Sequence, residues 1–250
     1  MAYDLLIGQK SYSSWSLRGW LAFAPFDVPV TVHKAVIYSD SFYDDVAAFG
    51  AHRTVPAVRT PDGGMLTESI AIAWHLAETF PDRGLLPSDP ADRAEALSAM
   101  AEMHSGFTSL RGACPMNLRS AWAAFEPSAE VLADVTRVEQ VFTRALNRSG
   151  GPFLYGAFSM VDAYYAPVVT RLLTYGLPIL KGFWQYDFPR FSVEVDGRPL
   201  GEGAGSVFIS NTRRYTGPLV ITNRARVDDG ELDVFIFRGS GKLKLLKYSV

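Results

Sequence analysis

The stretch "SYSSWSLR", residues 11–18, sets Ser11, Ser13, Ser14 and Trp15 directly behind the apolar run "YDLLIG", where a strand pattern gives way to a helical one. A helix N-terminus carries unpaired N–H groups and a partial positive charge, which favour a bound anion or thiolate. A serine hydroxyl at that point can donate a hydrogen bond to a thiolate, an interaction worth about 1.5–3 kcal/mol. One pKa unit is about 1.4 kcal/mol, so hydroxyl and helix end together would lower a thiol pKa by about one or two units. Taken alone, Ser13 and Ser14 read equally as ordinary helix caps.

Two later motifs add weight to the chemical reading. In "RTVPAV" a proline, Pro56, opens a strand behind Val55, a position where the main chain could pair with a peptide-like ligand. In "TES" the hydroxyl and N–H of Ser69 stand at a helix start beside the carboxylate of Glu68. A ligand with a free amine, a free α-carboxylate and a thiol finds a partner for each group. His104 and Arg111 add a further pair, seven residues apart, a spacing that sets both on one face of a helix turned toward the same cleft. His104 also reads as a polar residue on a partly buried helix.

Stepping outward, the pattern predicts strands at 3–7 and 30–34, helices at 14–24 and 41–49, and a hairpin of "PAVRT" and "GMLTE" around the turn "PDGG". A helix follows from Ser69, completing βαβαββα with a mixed sheet, because the first crossover demands parallel strands and the hairpin antiparallel ones. Residues 91–125 read as one long amphipathic helix interrupted or ended near Pro115, and 129–148 as another. "SMVD" places Ser159 three residues before Asp162, a capping box with a structural role.

Composition restricts the function classes. With 48% hydrophobic and 20% charged residues among 250, the chain has material for a substantial core. A single cysteine, Cys114, and four scattered histidines supply neither a disulfide nor a zinc site, so no metal is expected. The N-terminus lacks a signal-peptide pattern and no apolar run approaches membrane-spanning length, which leads to an expectation of a soluble cytoplasmic protein. Basic residues are not interleaved with aromatics, so nucleic acid is not an expected partner.

The ordered set "SYSSWSLR", "TVPAV" and "TESIAIAWHLAETFPDRGLLPSDPADRA" resembles the thioredoxin-like N-terminal domain of the glutathione S-transferase family, in its bacterial serine-type branch. The likeness continues through "AEMHSGFTSLRGACPMNLR" and "FLYGAFSMVDAYYAPVVTRLLTYGLP", similar to the family's all-helical domain, and covers about residues 3–179. It implies an α+β chain with a glutathione-binding domain at 1–82 and an incomplete helical domain at 88–179, a glutathione transferase without metal, and a homodimer. By the resemblance Ser13 is the thiol-activating residue, with Ser14 and then Ser11 as fallbacks. Val55 and Pro56 match the cis-proline loop, Glu68 and Ser69 hold the γ-glutamyl end, and Arg53 meets the glycine carboxylate. Trp15, His104, Phe107 and Arg111, with Trp122 and Tyr164, are candidates for the electrophile pocket, though core packing also accounts for aromatics there.

Beyond about residue 180 the character changes. Residues 1–179 hold 13 basic and 18 acidic side chains, net −5, whereas 180–250 hold 11 and 8, net +3, in alternating β patterns. About five strands are expected, with hairpin turns at Asp196-Gly197 and in "DDGELDV". The segment 183–250, with "SNTRRYTGPLVITNRARVDDGELDV" at its centre, resembles the C-terminal β-domain of bacterial diacylglycerol or sphingosine-type lipid kinases, so the chain reads as a fusion. That resemblance maps a phosphoryl-transfer acid onto Asp228 or Asp229. No glycine-rich phosphate loop or nucleotide-binding half accompanies it, which makes kinase activity improbable and leaves both as turn residues. Alternative readings are a glutathione- or protein-binding module without turnover, and a fragment that binds anionic lipid through its basic tail.

Overall fold

The computed structural model describes residues 2–51, 53–120, 122, 124–177 and five strand segments within 190–238. The first strand, β1 (Tyr3–Ile7), is buried at every position but Asp4, because it lies inside a four-stranded sheet. It pairs in parallel with β2 (Val30–Lys34) and antiparallel with β3 (Ala57–Arg59), which pairs with β4 (Met65–Leu66), giving the mixed order β2-β1-β3-β4. Between β1 and β2 runs α1 (Ser14–Leu21), shorter than the expected 14–24. Pro25 disfavours helical geometry at Ala24, and a 3₁₀ turn at Ala24–Phe26 takes over. Helix α2 (Phe42–Phe49) ends on Gly50 in the left-handed region, and α3 (Ser69–Thr79) follows the hairpin.

The expected long helix at 91–125 is divided. Helix α4 (Pro90–Ser105) starts on Asp89, which accepts from the N–H groups of Ala91 and Asp92, and stops at Gly106. Phe107 then turns left-handed at φ 55°, α5 (Thr108–Ala113) resumes, and Cys114 before Pro115 closes it. Among the described residues after Pro115 the helical pattern does not form a helix: Leu118 N–H donates to the Ser11 carbonyl at 3.0 Å and Trp122 N–H to that of Thr174 at 2.8 Å. Helix α6 (Ala129–Ser149) and α7 (Met160–Thr174) follow, the latter opened by the expected capping box of Ser159 and Asp162.

Alternation along β1 divides the apolar side chains between two cores. Leu6 faces a small cluster with Val46 and Phe49 of α2. Leu5 and Ile7 face a large one that continues through Ile72 and Leu76 of α3, Met100 and Met103 of α4, Val138 of α6, and Tyr165 and Val168 of α7. Sheet and helices therefore share one hydrophobic interior.

Farther along, β5 (Arg190–Val195), β6 (Arg198–Ser210) and β9 (Asp233–Arg238) form an antiparallel sheet in the order β5-β6-β9, and β7 (Arg214–Thr216) pairs with β8 (Leu219–Val220). These are the expected strands. The turn at Asp196-Gly197, the "DDGELDV" turn, and Asp228 and Asp229 lie outside the described residues.

Candidate functional site

Ser13 is the N-cap of α1. Its Oγ accepts from the Ser16 N–H at 3.2 Å, which leaves the hydroxyl proton free to donate. Ser16 is tied inward, its Oγ accepting from Gly8 N–H at 2.9 Å, so the strand-to-helix junction is held from both sides. Ser13 lines a cavity of about 420 Å³ with Gln9, Tyr12, Ser14, Trp15, Ile37 and Tyr38. Ser14, buried, accepts from Arg171 Nη2 at 3.3 Å.

The second motif lies against the same helix. The Val55–Pro56 peptide is cis, and among the described residues the Val55 main chain has no hydrogen-bond partner. Gly19 of α1 permits the approach, since a Cβ there would stand 2.5 Å from Pro56 Cβ. Ser69 is buried at the start of α3 and accepts from the Tyr164 hydroxyl at 2.9 Å, keeping its own proton to donate onward. Burial pushes the Tyr164 phenol well up, so it stays the donor. Glu68 is exposed, with Oε2 at 3.7 Å from His104 Nε2. Arg53 is exposed on the loop before Val55.

His104 and Arg111 do come together, by a route other than a continuous helix. Arg111 Nη1 folds back to donate to the carbonyls of His104, at 3.3 Å, and Gly106, at 3.0 Å, where α4 ends. Both residues flank Trp15: the His104 ring stands edge-on at 5.2 Å and the Arg111 guanidinium lies 5.0 Å from the indole centroid. Phe107, expected in an electrophile pocket, instead packs into the core against Tyr165 at 6.1 Å and is 5% exposed, the left-handed turn having swung it inward. Trp122 stacks on Tyr175 at 6.0 Å.

Two arginines that the sequence did not place in the site complete the surroundings. Arg18 is 2% exposed; its Nε donates to the Tyr164 carbonyl at 2.8 Å, while Nη1 and Nη2 are buried without partners among the described residues. Arg171 donates to the carbonyls of Cys114 and Pro167, each at 2.9 Å, besides Ser14. Burial, and then the neighbouring Arg171, lower Arg18 to about 9; burial and Arg111 lower Arg171 to about 10. The signal for both was weak, a basic residue set in each helix pattern with its partners far away in sequence. The Cys114 thiol is buried and raised by burial, which suits packing rather than nucleophilic attack.

Residues 12–79 match the glutathione S-transferase N-terminal domain, and residues 157–248 match the YegS C-terminal NAD kinase β-sandwich-like domain. The second match starts upstream of the β pattern and includes α7. Among curated proteins the chain is similar to probable maleylacetoacetate isomerase 1 of Drosophila melanogaster, 26% identical over 66% of this chain and 67% of that protein. It is also similar to glutathione S-transferase GstA of Escherichia coli O157:H7, 39% identical over 27% of this chain and 36% of that protein. It thus spans about two thirds of the first relative and about a third of the second. Among solved structures, a glutathione transferase homolog from Burkholderia with bound glutathione shares the fold at TM-score 0.54 and 18% identity, over 73% of this chain and 86% of that one. A diazinon-metabolizing glutathione S-transferase of the silkworm Bombyx mori does so at TM-score 0.54 and 18% identity, over 69% and 80%. Over its N-terminal part the chain is therefore similar in sequence to glutathione S-transferases and shares their fold, and a segment similar to the YegS C-terminal domain follows it.

Proposed function

We propose that the protein is a glutathione transferase in which Ser13 holds the glutathione sulfur as a thiolate for attack on a small electrophile. The observation that carries this reading is the division of labour at Ser13: its oxygen caps α1 and its proton remains free beside the N-terminal N–H groups. The thiol gives its proton to solvent, and the hydroxyl and the helix end stabilise the resulting negative charge. Val55 is suited to pair with the cysteinyl main chain, and Ser69, polarised by Tyr164, to donate to the γ-glutamyl carboxylate with Glu68 beside the amine. Arg53 is placed in the reading as the partner of the glycine carboxylate. Trp15, His104 and Arg111 wall the side from which the electrophile would approach.

Calorimetric titration of glutathione into the full-length chain, followed by conjugation to 1-chloro-2,4-dinitrobenzene, tests this. Saturable binding with turnover that falls in Ser13→Ala is the expected result. Binding without any turnover across an electrophile panel would leave a glutathione-binding module, and absence of binding by folded protein would remove the transferase reading altogether.

A further inference from the structure

The side of α1 that faces the helical part carries more positive charge than a neutral electrophile calls for. Arg111 and Arg171 line a cavity of about 360 Å³ together with Ser14, Trp15, Thr108 and Gly112. Arg18 lies next to them, its guanidinium 4.7 Å from the same Trp15 ring that Arg111 approaches to 5.0 Å. The hydrogen-bond partners of all three are neutral: the carbonyls of Tyr164, His104, Gly106, Cys114 and Pro167, and the Ser14 hydroxyl. Among the described residues every ion pair involves other groups, at His33, His104, Arg137, Arg144 and Arg148. The titratable neighbours Tyr164, Tyr165, Tyr175 and Cys114 are all raised by burial and carry no charge near neutral pH.

Buried cations without a counter-charge are costly, and a structure that retains two of them, Arg18 and Arg171, with the half-buried Arg111 beside them gains from an anion placed among them. The planar, forked guanidinium suits a carboxylate, which it can meet with two parallel hydrogen bonds. Position decides what such an anion would belong to. Ser14 and Trp15 line this cavity and also the one that contains Ser13, so a group bound here stands one residue from the helix start where the thiolate is placed.

We propose that the cavity between Arg111 and Arg171 is a carboxylate subsite and that the electrophiles of this protein are carboxylated, the acid anchored by the arginines while the reactive carbon faces the sulfur. This rests on the transferase reading of the Ser13 site. Trp15 supplies the floor, flat and apolar, for the body of the substrate, and Arg18 adds long-range attraction from behind it. Glutathione's own carboxylate is the other source of such an anion, and competition between the two ligands separates them.

Full-length protein is assayed with 4-chloro-3-nitrobenzoate and with its neutral counterpart 4-chloro-3-nitrobenzamide. In either case the thiolate sulfur forms a C–S bond at the ring carbon, the C–Cl bond breaks and chloride leaves with the bonding pair, so no further reactant is needed. The benzoate is expected to have kcat/KM at least about tenfold higher, expressed in KM and suppressed by added sodium chloride. Arg111→Gln should abolish that preference and Arg111→Lys should retain part of it, with the thermal midpoint of each variant confirming that it folds. Should the Gln variant fail to fold, the salt dependence of the unaltered protein and the Lys variant still decide. Equal rates for acid and amide would overturn the proposal. A readout without turnover is calorimetric titration of unreactive 4-nitrobenzoate: one site, weakened in Arg111→Gln and occupied alongside glutathione, is expected. No binding, or binding that competes with glutathione, overturns the electrophile subsite. Binding of nitrobenzoate by protein that does not bind glutathione would instead defeat the transferase reading and leave the carboxylate site standing.

Discussion

Ser13 uses its oxygen and its proton for different tasks, and substitution can separate them. Ser13→Ala removes both; losing the cap should cost about 1 kcal/mol of stability, and losing a charge-assisted donor about 10- to 100-fold in kcat/KM. The pH–rate profile should move to higher pH at the same time, because a thiolate with one fewer donor is harder to form. Ser13→Asp keeps an acceptor for the Ser16 N–H, so thermal stability should stay within a few tenths of a kcal/mol, yet a carboxylate repels the thiolate and activity should fall below that of the alanine variant. If Asp were as unstable as Ala, the capping role assigned to Ser13 would be wrong. At Ser69 the expected effect is on affinity: Ser69→Ala should weaken glutathione binding about tenfold with a smaller change in rate at saturation, read by calorimetry and kcat together.

At the scale of elements, two contacts fix α1 and α7 where the site needs them. A methyl group at Gly19 would press on the ring of Pro56, with 2.5 Å and 2.8 Å to Cβ and Cγ, and a proline ring cannot rotate aside. Alanine is intrinsically the better helix former, so Gly19→Ala gains about 1 kcal/mol locally. It should still lower the melting temperature, since overpacking costs about 1–3 kcal/mol and moves the helix off its loop. At the start of α7, Asp162 accepts from Leu154 N–H at 3.0 Å and from Ser159 N–H at 2.9 Å. Asp162→Ala strands both donors, each worth about 1–3 kcal/mol when buried, and Asp162→Asn, with no charge to bury, should lose less. Burial raises this carboxyl above its ordinary 3.8, so the fold favours its protonated form and its contribution to stability declines as pH rises through that interval. Denaturation of the two variants at pH 4 and pH 7 checks both statements. The capping box, the Ser13 cap and the placement of Ser69 were legible in the sequence because each depends on residues three or four apart. The break at Gly106–Phe107 was not, since a lone glycine fits either a helix interior or its end, and what settles it is Phe107 packing on Tyr165 and Arg111 closing over the α4 carbonyls. Nor could Arg18 and Arg171 be placed in the site from the sequence, their partners lying 146 and 157 residues away.

For the molecule as a whole, the decisive feature is that one hydrophobic cluster runs from β1 through α3, α4 and α6 to α7. Unfolding monitored by near-UV circular dichroism and by loss of glutathione binding should therefore coincide in urea; two separated transitions would mean that the sheet and the helices are independent units. The YegS-type match begins at residue 157 and so takes in α7, which packs against α1 and α4. Its side chains and backbone settle which part it serves in space: Tyr164 reaches Ser69, its carbonyl holds Arg18, and Arg171 reaches Ser14.

The Arg18–Tyr164 joint joins α1 to α7 directly behind the proposed thiolate position. A ligand bound between Ser13 and Ser69 thus couples to α7 as well, through the Tyr164 hydroxyl on Ser69, and at one hundred times its dissociation constant it would add about 2.7 kcal/mol to the stability of the whole. The survival of this chain against proteases in a cell would then follow the supply of its thiol ligand, so that the abundance of the protein reports on the small molecule it consumes.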